Sequence, residues 1–205
     1  TTMKPNPFLT VLFGLLLLAG SGWAADYEFV DWEDWEDLGD FNTNYQKVSL
    51  RDVLDRPQAY RDVPITFTVR FHQQEEVGMP FFSPFSREAY LSFSVWDSGQ
   101  RLWKEEEYTA DFPFCFIRRG GDRVVRVLAA MKPYQSLRLS GIVSNVYEGK
   151  PWIEVFAVRR IREPVLTDAV LHALHTAEEA LVQGAPEIAV ESYRRVLEEP
   201  LPDDV

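Results

Sequence analysis

The chain has 205 residues, 46% of them hydrophobic, and a formal net charge of −11. The hydrophobic content excludes a disordered chain. The charge is uneven: residues 25–46 carry eight acids and no base, and residues 165–205 carry nine acids and two bases. Residues 47–164 carry 18 bases against 15 acids, a weak basic balance for a nucleic-acid-binding protein. The acidic ends are either solvated surface or a partner for this basic centre.

Residues 1–24 read as a secretory signal peptide. A weakly basic start precedes an apolar run over 8–19, and Gly22 and Ala24 are the small residues expected before a cleavage site. We expect an exported protein, periplasmic or extracellular, with no stable membrane span after cleavage. The alternative is an uncleaved anchor that tethers the protein to a membrane, although the run breaks at 20–22, short of the roughly 20 apolar residues of a span.

Residues 25–46 form an acidic aromatic segment in which the unit Asp-Trp-Glu occurs twice. This repeat places Trp32 and Trp35 three residues apart, on one side of a helical turn. Like charges oppose a folded state of this piece alone, whereas a disordered tail usually contains fewer aromatic residues. We interpret the segment as mobile and as docking through its rings onto the barrel or a partner; a solvated linker is the alternative.

Residues 47–163 predict a β-barrel domain. Apolar periodicity indicates five strands and two helices. The strands are expected at 64–72, 90–96, 112–117, 137–146 and 152–158, and the helices at 49–55 and 122–131. Gly141 predicts a bulge or bend within the fourth strand, and residues 148–150 predict a tight turn.

The order of these elements resembles the OB-fold, a five-stranded, partly open Greek-key barrel. The long strand 64–72, the helix 122–131 and the closing hairpin carry the resemblance, which covers about residues 64–160. The resemblance implies a mainly β fold with helices, of the α+β class, like that of exported bacterial OB-fold proteins. A β-sandwich or another small barrel is the alternative.

Residues 164–205 predict a helical hairpin and a tail. Gly184 separates two helical patterns, and Pro186 stands in the first turn of the second. The second pattern, with Ala189 and Tyr193, is similar to the second half of a tetratricopeptide repeat. Only one copy is visible, so we expect that the unit either packs on the barrel or offers an open face to something else.

The sequence shows no Gly-rich phosphate loop, no G-x-S-x-G elbow and no H-E-x-x-H motif. His172 and His175, with Glu178 and Glu179 one turn on, form the one conceivable metal cluster. A zinc site needs three or four ligands, and alanine and leucine surround these histidines. We therefore expect a protein that is not an enzyme, with no catalytic residues, no metal site and no cofactor, although catalytic groups scattered along the sequence would escape this reading.

Three other chemically active features are interpreted as structural. Cys115 lies in an apolar strand and predicts a buried, inert thiol. His72 stands at the end of the first predicted strand, and we expect it to be a surface histidine. Residues 105–107, a run of three glutamates, indicate a solvated hairpin.

The loop 77–86 is the main candidate binding element. It joins the first two strands, and the resemblance places it at the border of the usual OB-fold binding face. Its three phenylalanines either close the barrel as core or form an exposed apolar patch for a protein, a lipid-like ligand or a membrane surface. The candidate partner-binding residues are Phe81, Phe82, Phe85, Trp96, Trp103, Trp32 and Trp35.

The first functional hypothesis is an exported, non-enzymatic binding or assembly module that acts through protein–protein interaction in the cell envelope. The alternative is an oligonucleotide- or oligosaccharide-binding protein, because bases and sugars stack on rings such as Trp96, Trp103 and Trp152. Convergence of the aromatic residues on one concave basic patch would favour the alternative. A flat apolar patch would favour a protein partner.

Overall fold

The computed structural model describes residues 38–39, 44–77, 84–202 and 205. These residues include six β-strands. The strands are β1 (Gln46–Lys47), β2 (Pro64–Glu75), β3 (Tyr90–Asp97), β4 (Phe112–Arg118), β5 (Ser136–Tyr147) and β6 (Lys150–Arg160). Their order is β1-β2-β3-β4-β6-β5, and an additional pairing of β2 with β5 closes the sheet into a barrel. The β4–β6 pair is parallel, and the other neighbours within the closed barrel are antiparallel. This topology confirms the predicted OB-like Greek-key barrel.

The helices agree with the predicted α+β class. They are α1 (Leu50–Asp55), a 3-10 helix (Pro57–Tyr60), α2 (Glu105–Tyr108), α3 (Asp122–Ala130), α4 (Asp168–Val182) and α5 (Pro186–Leu197). The expected solvated hairpin at 105–107 is instead the short helix α2. Within the part of the chain that the structure describes, no helix is both long and apolar enough to cross a membrane.

The barrel core follows from the alternation along β2. Ile65, Phe67, Val69 and Phe71 all point inward and are buried. Cys115 of β4 is fully buried, as predicted, and burial raises the pKa of its thiol, which keeps it protonated. The opposite face of β2 is less exposed than its polar residues suggest, because Arg70 is only 1% exposed and donates from Nη1 to the Ser98 carbonyl at 2.6 Å.

The predicted bulge and turn are present in the β5–β6 hairpin. The register shifts between Ser140 and Gly141, and a side chain at Gly141 would place a Cβ 2.1 Å from the Glu154 carbonyl oxygen. Glu148 and Gly149 both have positive φ, as a tight hairpin turn of the primed type requires. The hairpin therefore brings its two strands together closely at Gly141 and reverses within two residues.

The acidic segment contributes to the barrel at two residues, Leu38 and Gly39. Leu38 is 5% exposed, and its N–H and C=O bond to Val158 at 2.9 and 2.8 Å. Gly39 has φ +85°, and a Cβ there would lie 2.2 Å from the Phe156 carbonyl oxygen. Leu38 and Gly39 are thus held against β6, whereas the mobility predicted for residues 25–46 as a segment stays a prediction.

The helical hairpin packs on the barrel, which is one of the two arrangements expected from the sequence. Thr167 caps α4 through its side chain, and Gly184, with φ +73°, follows the end of the helix. The buried cluster between barrel and hairpin contains Trp96, Leu102, Tyr134, Leu166, Val170, Leu171, Leu174 and Val196. The side of α4 that carries Val170, Leu171 and Leu174 is therefore covered by the molecule itself.

Candidate functional site

The described candidate residues do not converge on one concave patch. Trp96 and Trp103 belong to the cluster between the barrel and the helical hairpin, whereas Phe85 belongs to a separate aromatic cluster. Trp32, Trp35, Phe81 and Phe82 lie outside the described residues. The binding roles predicted for all seven residues stay predictions.

Trp96 is fully buried and connects three parts of the fold. The centroid of its ring lies 4.2 Å from that of His72 and 5.5 Å from that of Tyr134. Its Nε1–H donates to the Tyr108 carbonyl at 2.8 Å, and the Tyr134 hydroxyl donates to Asp168 at 2.8 Å. Burial, the contact of its hydroxyl with the Tyr108 hydroxyl at 3.3 Å and the hydrogen bond to Asp168 raise the pKa of Tyr134, so the phenol keeps its proton. In this arrangement Trp96 positions the hairpin against the barrel.

Trp103, in the loop after β3, makes two polar contacts with side chains of the helix α4. Its Nε1–H donates to the Glu178 carboxylate at 2.9 Å, and its carbonyl lies 3.0 Å from Nδ1 of His175. Lys104 Nζ lies 3.3 Å from the same carboxylate. Among the described residues no group of three histidine, cysteine, aspartate or glutamate side chains is placed to hold a metal ion. His175 and Glu178, two of the four residues in the conceivable metal cluster of the sequence, bind Trp103 and so hold α4 against the loop after β3.

His72 is half-buried rather than a surface residue, because Trp96 covers its ring. Its Nδ1 lies 3.0 Å from Asp111 Oδ2 and 3.2 Å from the hydroxyl of the buried Ser94. In a Ser-His-Asp triad the serine and the aspartate contact different ring nitrogens, so that one nitrogen takes the serine proton while the aspartate orients the ring through the other. Here both contacts reach the same nitrogen, and the geometry is not that of a triad.

A different aromatic cluster lies on the outer face of the barrel, between the β2–β3 loop and the β5–β6 turn. We call it the aromatic platform; its residues are Phe85, Phe114, Phe116, Tyr147 and Trp152. The strands explain its position, because the inward residues Cys115 and Ile153 alternate with these outward rings. This is the face that OB-folds use for ligands.

The platform has a buried base of packed rings and an exposed side that faces solvent. Phe85 stacks on Phe116 with ring centroids 4.1 Å apart, and the Phe114 ring lies nearly parallel to that of Trp152 at 6.2 Å. Tyr147, 44% exposed, lies 5.9 Å from Trp152, and Phe114 is half-buried. Lys150 holds its ammonium 5.8 Å from the Phe114 ring centre. Two aromatic rings and one cation therefore face solvent on a fixed base.

A surface cleft of about 410 Å³ opens near the end of β4. Its lining includes Arg118, Arg123, Glu154 and Phe156. The Tyr90 hydroxyl donates to Glu154 Oε1 at 2.9 Å, and Arg118 Nη2 donates to the same hydroxyl oxygen at 3.0 Å. Burial and the hydrogen bond to Glu154 raise the pKa of Tyr90, so its hydroxyl remains a donor.

Sequence reasoning singled out Phe85 and Trp152 but missed the platform as a unit. The available signal was the spacing of Phe114 and Phe116 around Cys115, which places both rings on the face opposite the buried thiol. The cleft left no local signal, because its residues come from four separate stretches of the chain.

No protein-family model matches the sequence, and no curated protein matches it. Among solved structures, the chain is similar to a protein described as an aspartyl-tRNA synthetase from Leishmania major Friedlin, with a TM-score of 0.41 and 12% identity. The match covers 70% of this chain and 25% of that one. It is also similar to OBody AM3L09, solved bound to hen egg-white lysozyme, with a TM-score of 0.32 and 15% identity over 50% of this chain and 85% of that one. At such low TM-scores nothing about function follows.

Proposed function

We propose that the protein is an exported, non-enzymatic binding module that holds a protein partner on the aromatic platform. The observation that carries this proposal is the aromatic surface formed by the exposed ring of Tyr147 and the half-buried ring of Phe114. Both rings pack against the buried ring of Trp152. Aromatic side chains that are already immobilised lose little conformational entropy on binding, and tyrosine and tryptophan dominate the hot spots of protein interfaces.

The shape of this surface favours a protein partner over an oligonucleotide or an oligosaccharide. The described candidate aromatics do not line a concave basic groove, and Trp96 and Trp103 are committed to contacts with the helical hairpin. Lys150 provides one cation beside the platform, where a single-strand binder would use a basic path along the whole backbone.

The setting outside the cytoplasm rests on the sequence. The apolar run over 8–19 and the small residues before Ala25 are typical of a secretory signal peptide. A single thiol that is fully buried, Cys115, suits an oxidising compartment because it offers no accessible sulfur.

The test is capture of a partner from envelope extract by the full chain and by surface variants. We expect Tyr147→Ser to abolish capture of the partner, because the exposed ring is lost while the buried base remains. Leu54→Ser, at a residue that is 38% exposed on α1, is the matched control and should retain capture. Circular dichroism of each variant confirms the fold.

Three outcomes would contradict this proposal. Capture that survives Tyr147→Ser but is lost in Leu181→Ser, whose wild-type residue is 52% exposed, would move the binding surface to the helical hairpin. Binding of oligo(dT) or of a defined oligosaccharide that depends on Tyr147 would support the alternative function. Turnover of a substrate would show that the protein is an enzyme.

A further inference from the structure

The cleft beside the platform has an apolar floor and a charged rim. The cleft lies at the end of β4, where its pairing with β6 stops. The start of α3 bounds it on one side, and Leu38 and Gly39 bound it on another. Ile117 and Val155 line its floor, although their side chains belong to the main core and are only 4% and 2% exposed, and Phe156, which is 44% exposed, forms part of one side. The volume of about 410 Å³ suits a few side chains of a peptide rather than a folded element.

The rim is held in place by a small polar network. Arg118 Nη2 lies 3.0 Å from the Tyr90 hydroxyl and 3.7 Å from Glu154, and its guanidinium carbon lies 5.4 Å from the Tyr90 ring centre. The side chain of Arg118 is nevertheless 73% exposed. Since a guanidinium has five N–H donors, Arg118 keeps donors on its solvent side while Tyr90 and Glu154 fix its position.

The surroundings of the cleft add positive charge. Arg123 lies on its α3 side, and Arg119 is fixed nearby by hydrogen bonds from Nε to the carbonyls of Arg87 and Tyr90 at 2.9 and 3.2 Å. Glu154 is the acid in the lining, and its side chain is only 18% exposed, whereas the side chain of Arg118 is 73% exposed and Arg123 is an exposed residue. The rim is therefore complementary to a carboxylate, which arginine binds with two parallel hydrogen bonds.

We propose that this cleft binds a short acidic peptide segment, with a carboxylate between Arg118 and Arg123 and the neighbouring apolar side chain on Phe156. The inference rests on the proposed function, because the cleft lies on the same outer face as the platform, and it names the chemistry of the partner segment bound there.

A peptide fits this cleft better than a nucleic-acid strand does. Glu154 lies among the lining residues, and a phosphate chain with one charge per nucleotide would meet this carboxylate. A peptide instead offers backbone N–H donors to a carboxylate. Phe156, which is 44% exposed in the lining, offers an apolar contact to an aliphatic or aromatic side chain of the peptide.

The experiment measures fluorescence anisotropy of a labelled peptide, Gly-Asp-Phe-Glu-Gly, titrated with the full chain. We expect Arg123→Glu and Arg118→Gln to weaken binding at least tenfold, and Phe156→Ser to weaken it several-fold. Arg126→Glu makes the same charge change as Arg123→Glu on an exposed part of α3 outside the cleft lining, and it should leave the affinity unchanged. A peptide with Asn and Gln in place of Asp and Glu should not bind.

Each remaining outcome decides against the inference. No binding of the acidic peptide, or equal loss of affinity in Arg123→Glu and Arg126→Glu, would overturn it. Binding of oligo(dT) that depends on Arg123, without binding of the peptide, would assign the cleft to nucleic acid. Tyr147→Ser should not alter the peptide affinity, so failure of the platform in the capture experiment and failure of the cleft in this titration are separate results.

Discussion

Phe85 stacks face to face on Phe116, with ring centroids 4.1 Å apart and an angle of 7° between the planes. Phe85 comes from the loop between β2 and β3, whereas Phe116 lies on the outer face of β4. Tyr90 meets the Phe85 ring edge-on at 4.8 Å, so the ring is enclosed and only 2% exposed. The loop therefore contributes a structural ring to the face on which we place the binding site.

Replacement of Phe85 by alanine is expected to destabilise the fold by about 3–5 kcal/mol, because it removes a buried ring and leaves a cavity. Urea unfolding followed by tryptophan fluorescence measures the change. Tyr147→Ala, on the exposed side of the same platform, is the matched control and should change stability by about 0.5 kcal/mol or less. Equal effects of the two substitutions would show that Phe85 is not part of the core.

Leu38 gives a second stability test, in a segment that the sequence predicted to be mobile. Leu38→Ala is expected to cost about 2–5 kcal/mol, since the side chain is 5% exposed and packs in the main core. Leu54→Ala, at a leucine that is 38% exposed, should cost far less. Differential scanning calorimetry of both variants checks the difference. An unchanged melting temperature for Leu38→Ala would show that this side chain does not contribute to the core.

The barrel could be predicted because its signals are local. Alternation along β2, the Gly141 irregularity and the Glu148–Gly149 turn each occupy a few consecutive residues, and each has a direct backbone cause. What the sequence could not give is which polar residues become buried. Arg70 is polar in any window of sequence, and its burial depends on the Ser98 carbonyl, 28 residues further along the chain.

The platform and the cleft could be predicted only in part, for the same reason. Trp152 and Phe85 are separated by 67 positions, and only barrel closure brings both to the same face. Rings on an outer face and rings in a core follow the same two-residue alternation, so the pattern does not distinguish them. Trp96 shows this ambiguity, since its outward position leads into the contact with Tyr134 beneath the helical hairpin.

Gly141 tests the close approach of β5 and β6. Gly141→Ala would place a Cβ 2.1 Å from the backbone oxygen of Glu154, which cannot move without displacing β6. We expect a loss of about 3 kcal/mol, at the upper end of ordinary overpacking. A Cβ at Gly149 would have no atom within 4 Å, so Gly149→Ala should cost only the strain of a positive φ, about 1 kcal/mol. Urea unfolding curves of the two variants should therefore differ clearly, and similar losses would contradict the steric account.

Processing of the first 24 residues is tested directly by mass spectrometry. Protein produced in a bacterial host is expected to begin at Ala25, because Gly22 and Ala24 precede that bond. Ala24→Trp should block cleavage, while Ala25→Ser, just beyond the cleavage site, should not. Recovery of the uncleaved wild-type chain in the membrane fraction would instead support a membrane anchor.

We expect the contact of Glu178 with Trp103 and Lys104 to stabilise the fold less at acidic pH than at neutral pH. Burial acts to raise the pKa of Glu178, but the hydrogen bond from Trp103 and the nearby Lys104 ammonium outweigh it, and the pKa lies below its usual value of 4.5. A carboxyl whose pKa is lower in the folded state stabilises the protein above the unfolded pKa and loses this contribution as the pH falls through the folded pKa. Glu178→Gln should therefore be less stable than wild type at pH 7, and the difference in free energy of unfolding should shrink below about pH 4.5.

Urea unfolding at a series of pH values measures this difference. In the Trp103→Phe background the pH-dependent part of the difference should be smaller. The same pH dependence with and without Trp103 would show that this hydrogen bond does not stabilise the ionised carboxylate.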